Sequence, residues 1–152
     1  MIVADTNVWA RAYLRDDAAQ TPKSQKLLAE AQASGGVFVP LVVLAELAWV
    51  LRAKWRRESI LATFEELLST HGVTVEAALI AQSAINATRE GNGGFADHLI
   101  AQVGFANGAI ETVTFDESFV EGHSLSCSVC KAHLRDEMVR EAAVAVARGI
   151  DR

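Results

Sequence analysis

Four carboxylates sit where a chain seldom leaves one. Asp5 directly follows Ile2-Val3-Ala4, Glu46 lies among Val42, Val43, Leu44, Leu47 and Val50, Asp97 precedes Leu99-Ile100, and Asp116 follows Val113 and Phe115. An ionised carboxylate in apolar surroundings is strongly disfavoured unless it is paired or coordinates a cation. The chain has 19 acidic and 14 basic residues, so setting these four aside leaves 15 against 14 and puts nearly all of the negative excess in one group. A divalent cation would cancel it. All-oxygen ligand sets suit Mg²⁺ or Mn²⁺, whereas Zn²⁺ draws on His and Cys. Mg²⁺ takes few protein carboxylates and completes its shell with water and phosphate oxygens, which points to phosphodiester hydrolysis, where such a cation acidifies water and steadies the attacking and leaving oxygens. Taken singly, each acid has an ordinary explanation: a turn or cap for Asp5 and Asp116, a favoured helix-start charge for Asp97, a partly exposed helix position for Glu46. Two at strand ends and two on helices that reach those ends form a candidate set.

The elements that must position them alternate between strand and helix. Ile2-Val3-Ala4 reads as a short buried strand ending at Asp5, with Thr6 or Asn7 capping a helix through Ala10 and Leu14. A second helix opens near Thr21-Pro22, passes Leu27, Leu28 and Ala31, and stops at Gly35-Gly36. Val37-Phe38-Val39 is a strand, and Pro40 opens a long helical segment from Leu41 to Trp55. The spacing of Ile60, Leu61, Phe64, Leu67 and Leu68 predicts an amphipathic helix over 56–70, closed by Gly72. Val73-Thr74-Val75 is a strand, Glu76 to Arg89 a helix, Gly91-Asn92-Gly93-Gly94 a loop, and Phe95 to Asn107 a helix stopped by Gly108. Ile110 to Phe115 carries strand-forming residues up to Asp116. The alternation predicts an α/β layer with a mainly parallel sheet, in which functional groups gather at the carboxyl ends of strands.

At 152 residues, 51% hydrophobic and 22% charged, the chain has the length and composition of one globular domain. It is too apolar for a disordered tail, and 2 Cys are too few for a disulfide scaffold. No apolar run reaches the roughly 18 residues of a membrane span, and Met1 to Asp5 lacks the basic region of a signal peptide, so a soluble, cytoplasmic protein with no membrane partner is expected. With a formal net charge of −5, no overall positive field recruits nucleic acid, and a local patch or a bound cation must do so.

Asp5-Thr6-Asn7 after an N-terminal strand, Leu44-Ala45-Glu46-Leu47, Phe95-Ala96-Asp97-His98-Leu99-Ile100-Ala101 and Thr114-Phe115-Asp116 together resemble the motifs of PIN-domain ribonucleases. The likeness is in particular to the small VapC-type toxins of bacterial toxin–antitoxin modules. It covers about residues 1–119, and its strength lies in the order of four motifs rather than in any one. It implies a three-layer α/β/α sandwich with a mainly parallel sheet over 1–120, a Mg²⁺- or Mn²⁺-dependent endoribonuclease acting on RNA, and a cognate antitoxin that blocks the site; a homodimer is expected as well. Carried over by position, Asp5, Glu46 and Asp97 match the core acidic triad and Asp116 the more variable fourth acid. Thr6, Asn7 and Thr114 match the small polar residues that orient such carboxylates. A catalytically inactive PIN-like module that binds RNA or protein is the alternative. An aspartyl-phosphate phosphatase needs a second Asp two positions after the first, where this chain has Asn7.

Arg52, Lys54, Arg56 and Arg57 put four positive charges within six residues, and Arg11 and Arg15 lie on the helix after Asp5. These are the candidate phosphate contacts, or simply a solvated helix end. Trp49 and Trp55, with Leu41, Val42 and Leu51, give their segment more apolar bulk than one core face needs, so that part of it is either core or an antitoxin groove or dimer surface. His98 and His71 are read as structural and loop residues. The sequence departs from the resemblance over 121–152, an atypical extension with a charged, Ala-rich helix expected from about Lys131 to Arg148. Its Cys127 and Cys130, flanked by His123 and His133, are read as reduced thiols, because zinc fingers separate their ligand pairs by a longer loop.

Overall fold

Val37 and Val39 are fully buried and flank a half-buried Phe38, the pattern of a strand covered on both sides. In the computed structural model, which describes residues 1–116 and Phe119, this strand is the centre of a three-stranded parallel sheet. The chain runs β1 (Ile2–Val3), α1 (Thr6–Leu14), α2 (Gln20–Ser34), β2 (Val37–Val39), α3 (Leu41–Leu51), α4 (Arg57–Ser69), β3 (Val73–Val75), α5 (Ala78–Glu90) and α6 (Phe95–Ala106). β1 pairs with β2 in the register Ile2↔Val37, and β2 with β3 in the register Val37↔Val73. Parallel neighbours need a crossover, and each crossover here contains two helices, α1–α2 and then α3–α4. The expected α/β class with a mainly parallel sheet is the class observed among the described residues. None of their helices is long and apolar enough to cross a membrane.

α3 supplies the largest apolar wall. Val43, Leu44, Leu47, Ala48 and Leu51 are buried, at the i, i+1, i+4, i+5, i+8 spacing of one helix face, while Val42, Glu46, Trp49 and Val50 face outward. Around that wall pack Trp9 of α1, Leu61 and Phe64 of α4, Ile85 of α5, and Phe95 and Leu99 of α6. Pro40 has no side chain that can cap α3, and the Glu76 carboxylate, just past β3, takes that place: its Oε2 accepts from the Leu41 N–H at 2.8 Å. Arg89 of α5 forks onto Glu58 and Glu65 of α4, at 2.9 Å each, and holds the Glu65 carboxyl below its ordinary range.

Three expectations change. β1 is exposed at Ile2 and Val3, because it is an edge of the described sheet and only Ala4 turns inward. The helix expected over 41–55 ends at Leu51, where a turn over 52–55 lets Trp55 pack edge-on against Tyr13, 6.1 Å between ring centres. Ile110 to Phe115 forms no strand. Thr112 makes a lone bridge, and Ile110, Val113 and Phe115 are 88%, 49% and 71% exposed, so among the described residues these strand formers join no ladder. The helix expected at 131–148 and the Cys127/Cys130 pair lie outside the described residues.

Tyr13 is the sole tyrosine of the chain. It stacks on Trp9 at 6.0 Å, and burial, reinforced by Glu66, pushes its phenol up to about 12. An unfolded tyrosine ionises near about 10, so above that pH the unfolded chain sheds a proton that the folded chain keeps. The stability from the neutral phenol is complete below about pH 10 and is lost as pH rises through about 12. Phenolate absorbance after a rapid pH jump is expected to show a midpoint near 12, and a midpoint near 10 contradicts this packing.

Candidate active site

Asp5 ends the extended run after β1 and is itself the cap of α1: its Oδ1 accepts from the Val8 N–H at 3.0 Å. The cap therefore falls one or two residues earlier than Thr6 or Asn7, since an Asp at this position satisfies an orphan helix donor directly. Thr6, now the first residue of α1, points its hydroxyl across to α3 and donates to Glu46 Oε2 at 2.5 Å. Asn7 is exposed on the same turn. Asp97, third in α6, reaches back to accept from the Gly94 N–H at 2.8 Å, and its charge suits the positive end of that helix. Thr114 and Asp116 form a tight turn, with the Asp116 N–H donating to Thr114 Oγ1 at 3.0 Å.

α3 packs against both α1 and α6, so the helix bearing Glu46 lies between those bearing Asp5 and Asp97. The side chains themselves are not gathered: among the described residues, no three His, Cys, Asp or Glu groups stand close enough together to hold an ion. Nor are these acids buried, contrary to what their apolar neighbours in the sequence suggest. Asp5, Glu46 and Asp116 are exposed and Asp97 is half-buried, because apolar neighbours in the chain occupy the opposite helix face or strand side. Asp5, Glu46 and Asp97 belong to the acids left without a counter-ion among the described residues. Asp16, Glu30, Glu58 and Glu65 each meet Lys or Arg, whereas these three meet no cationic side chain among the described residues. Each commits one oxygen to a single hydrogen bond, an all-oxygen donor set that fits a hard divalent cation in kind.

The basic residues divide. Arg11 and Lys54 both grip Asp16, at 2.8 and 2.9 Å, and Lys54 first, then Arg11, holds that carboxyl below its usual range. Arg57 clamps the glycine loop by donating to the carbonyls of Gly91 (2.9 Å) and Gly93 (2.7 Å). Arg52 lies over the Trp49 ring, 3.4 Å from its centre. Arg15 and Arg56 are exposed and make no ion pair among the described residues. His98 turns inward, with Nε2 against the Asn92 carbonyl at 2.8 Å and the ring edge-on to Phe119 at 5.0 Å, so it braces the loop from beneath.

Sequence reasoning missed Glu76, although acid after an apolar strand was the signal that found Asp5, and it missed the loop clamp of Arg57. The loop also needs its glycine. Gly93 has φ +87°, and a Cβ there would meet Phe119 Cδ2 at 2.6 Å. Gly93→Ala is expected to cost about 1–3 kcal/mol, seen as a lowered Tm, since it combines backbone strain with a clash. An unchanged Tm would contradict this loop geometry.

An open pocket of about 290 Å³ is lined by residues of α3, α4, α5 and the start of α6, among them Trp49, Arg52, Gly94 and Asp97. Comparison with curated proteins and with solved structures finds no match. The PIN domain family model matches residues 2–122. With that match spanning most of a chain whose parallel α/β fold agrees with it, this protein belongs to the PIN domain family, whose members are typically nucleases that use divalent metals.

Proposed function

We propose that this chain is a Mg²⁺- or Mn²⁺-dependent endoribonuclease and the toxin of a type II toxin–antitoxin module. Asp5, Glu46 and Asp97 would hold the cation, with Asp116 as a fourth acid. The observation that carries the reading is the Thr6–Glu46 hydrogen bond, which ties the turn after Asp5 to α3 while α3 packs on the helix of Asp97, and none of the three acids has a cationic partner among the described residues. Like charges repel, and a divalent cation held by the three carboxylates would offset that repulsion. Thr6 fixes Glu46 through its hydroxyl, the Val8 N–H fixes Asp5 and the Gly94 N–H fixes Asp97, leaving the remaining oxygens for the ion. Asn7 and Thr114 stand beside Asp5 and Asp116 in the same supporting role.

An antitoxin would act by covering this acidic site. A homodimer is supported by apolar side chains left outside the core on three helices, Val42 of α3, Leu79 of α5 and Ile100 of α6. The absence of a gathered metal group among the described residues favours a second reading, a catalytically inactive RNA- or protein-binding module. Cleavage of RNA in Mg²⁺ or Mn²⁺, with and without EDTA, separates the two when the native chain is compared with Asp5→Asn. Cutting that EDTA and Asp5→Asn both abolish supports the nuclease. Equal cutting by both proteins, or none by either, rejects it.

A further inference from the structure

The pocket beside Asp97 has a chemistry of its own. Trp49 stays 64% exposed even with the Arg52 guanidinium 3.4 Å from its ring centre, so a large part of the indole is open to a further partner. The pair shares its pocket with Ala48, Ile60, Phe95 and Asp97. At about 290 Å³ the cavity is at the small end for ligand sites, sized for one flat group rather than for a helix. Two of its polar groups are already engaged, since the Thr88 hydroxyl donates to the Ala84 carbonyl and Arg57 donates to Gly91 and Gly93, which leaves the charges of Arg52 and Asp97. Such a pocket selects by shape, stacking and charge rather than by hydrogen-bond pattern. An exposed aromatic ring beside an arginine is how proteins hold unpaired bases, because every base has a π face and a phosphate beside it.

We infer that this pocket receives one unpaired base of single-stranded RNA, stacked on Trp49 and flanked by Arg52, and so sets the adjoining phosphate toward Asp97. The inference rests on the ribonuclease reading and adds a base site that tolerates different sequences.

The test is binding of a labelled single-stranded oligoribonucleotide to the full chain in EDTA, read by fluorescence anisotropy, with cleavage in Mg²⁺ measured in parallel. Trp49 is exposed, so Trp49→Ala leaves the core intact. It is expected to weaken binding about tenfold or more, the scale of one lost base stack, while Trp49→Phe retains most of the affinity. An oligonucleotide of abasic sugar-phosphate is expected to bind the native chain and Trp49→Ala alike. If Trp49→Ala binds RNA as the native chain does, the base site is overturned and the pocket is left to a protein partner. If that happens while the native chain still cleaves, the nuclease reading stands alone. Binding that depends on Trp49 without any cleavage leaves the pocket and removes the nuclease. No binding by the native chain overturns the base site as well.

Discussion

Asp97→Asn is expected to lower RNA cleavage at least about 100-fold while leaving Tm within about 2 °C of the native value. Loss of a residue that merely supports a metal ligand commonly costs about 10–100-fold, and loss of a ligand costs more. The amide is the informative substitution because its oxygen still accepts from the Gly94 N–H, so the start of α6 keeps its hydrogen bond. The lost helix-start charge is worth only about 0.3–1 kcal/mol, of the order of 2 °C in a chain of this size. Asp97→Ala, by contrast, removes the bond to Gly94 as well and mixes the two effects. Near-native cleavage by Asp97→Asn would take Asp97 out of the metal site and leave it as a cap.

The largest stability effect is expected at Phe64, which is fully buried in α4 and packs edge-on against Phe95 at 4.9 Å. Truncating such a side chain removes its burial and leaves a cavity, at a cost of about 3–5 kcal/mol. Against a typical total of about 5–15 kcal/mol, that is a large share. Tm is expected to fall by on the order of 10 °C. Phe95 is the first residue of α6, two before Asp97, so the same truncation loosens the element that aims the carboxylate. Cleavage by Phe64→Ala should therefore fall at temperatures where the chain is still folded by circular dichroism. A Tm shift below about 2 °C would mean that the two rings do not form the joint between α4 and α6.

Local signals carried far in this chain. Gly35, Gly91 and Gly94 bound the helices where the sequence expects, and the short runs of β-branched and aromatic residues at 37–39 and 73–75 are strands at those positions, the central one apolar throughout and the one at the edge of the described sheet alternating with an exposed Thr74. The resemblance from Asp5, Glu46, Asp97 and Asp116 agrees with the family match. What local pattern could not supply was direction. Leu44 and Leu47 flank Glu46 in the chain, yet they line the core while Glu46 faces out, since neighbours on a helix sit about 100° apart. Ile110 to Phe115 has the residues of a strand, but a strand is a relation to a partner, and propensity does not provide one. Arg11 and Lys54 read as phosphate contacts from charge alone, whereas their shared attachment to Asp16 depends on a fold that brings α1 next to the end of α3.

The central claim is that Asp5, Glu46 and Asp97 close on one hard cation, and Mn²⁺ binding tests it without reference to any RNA. The free-ion electron paramagnetic resonance signal of Mn²⁺ is titrated against the native chain, Asp5→Asn and Asp97→Asn. Saturable loss of that signal is predicted for the native chain, with at least about tenfold weaker binding in each variant. Superimposable curves for the three proteins, or no binding by the native chain, would contradict the account.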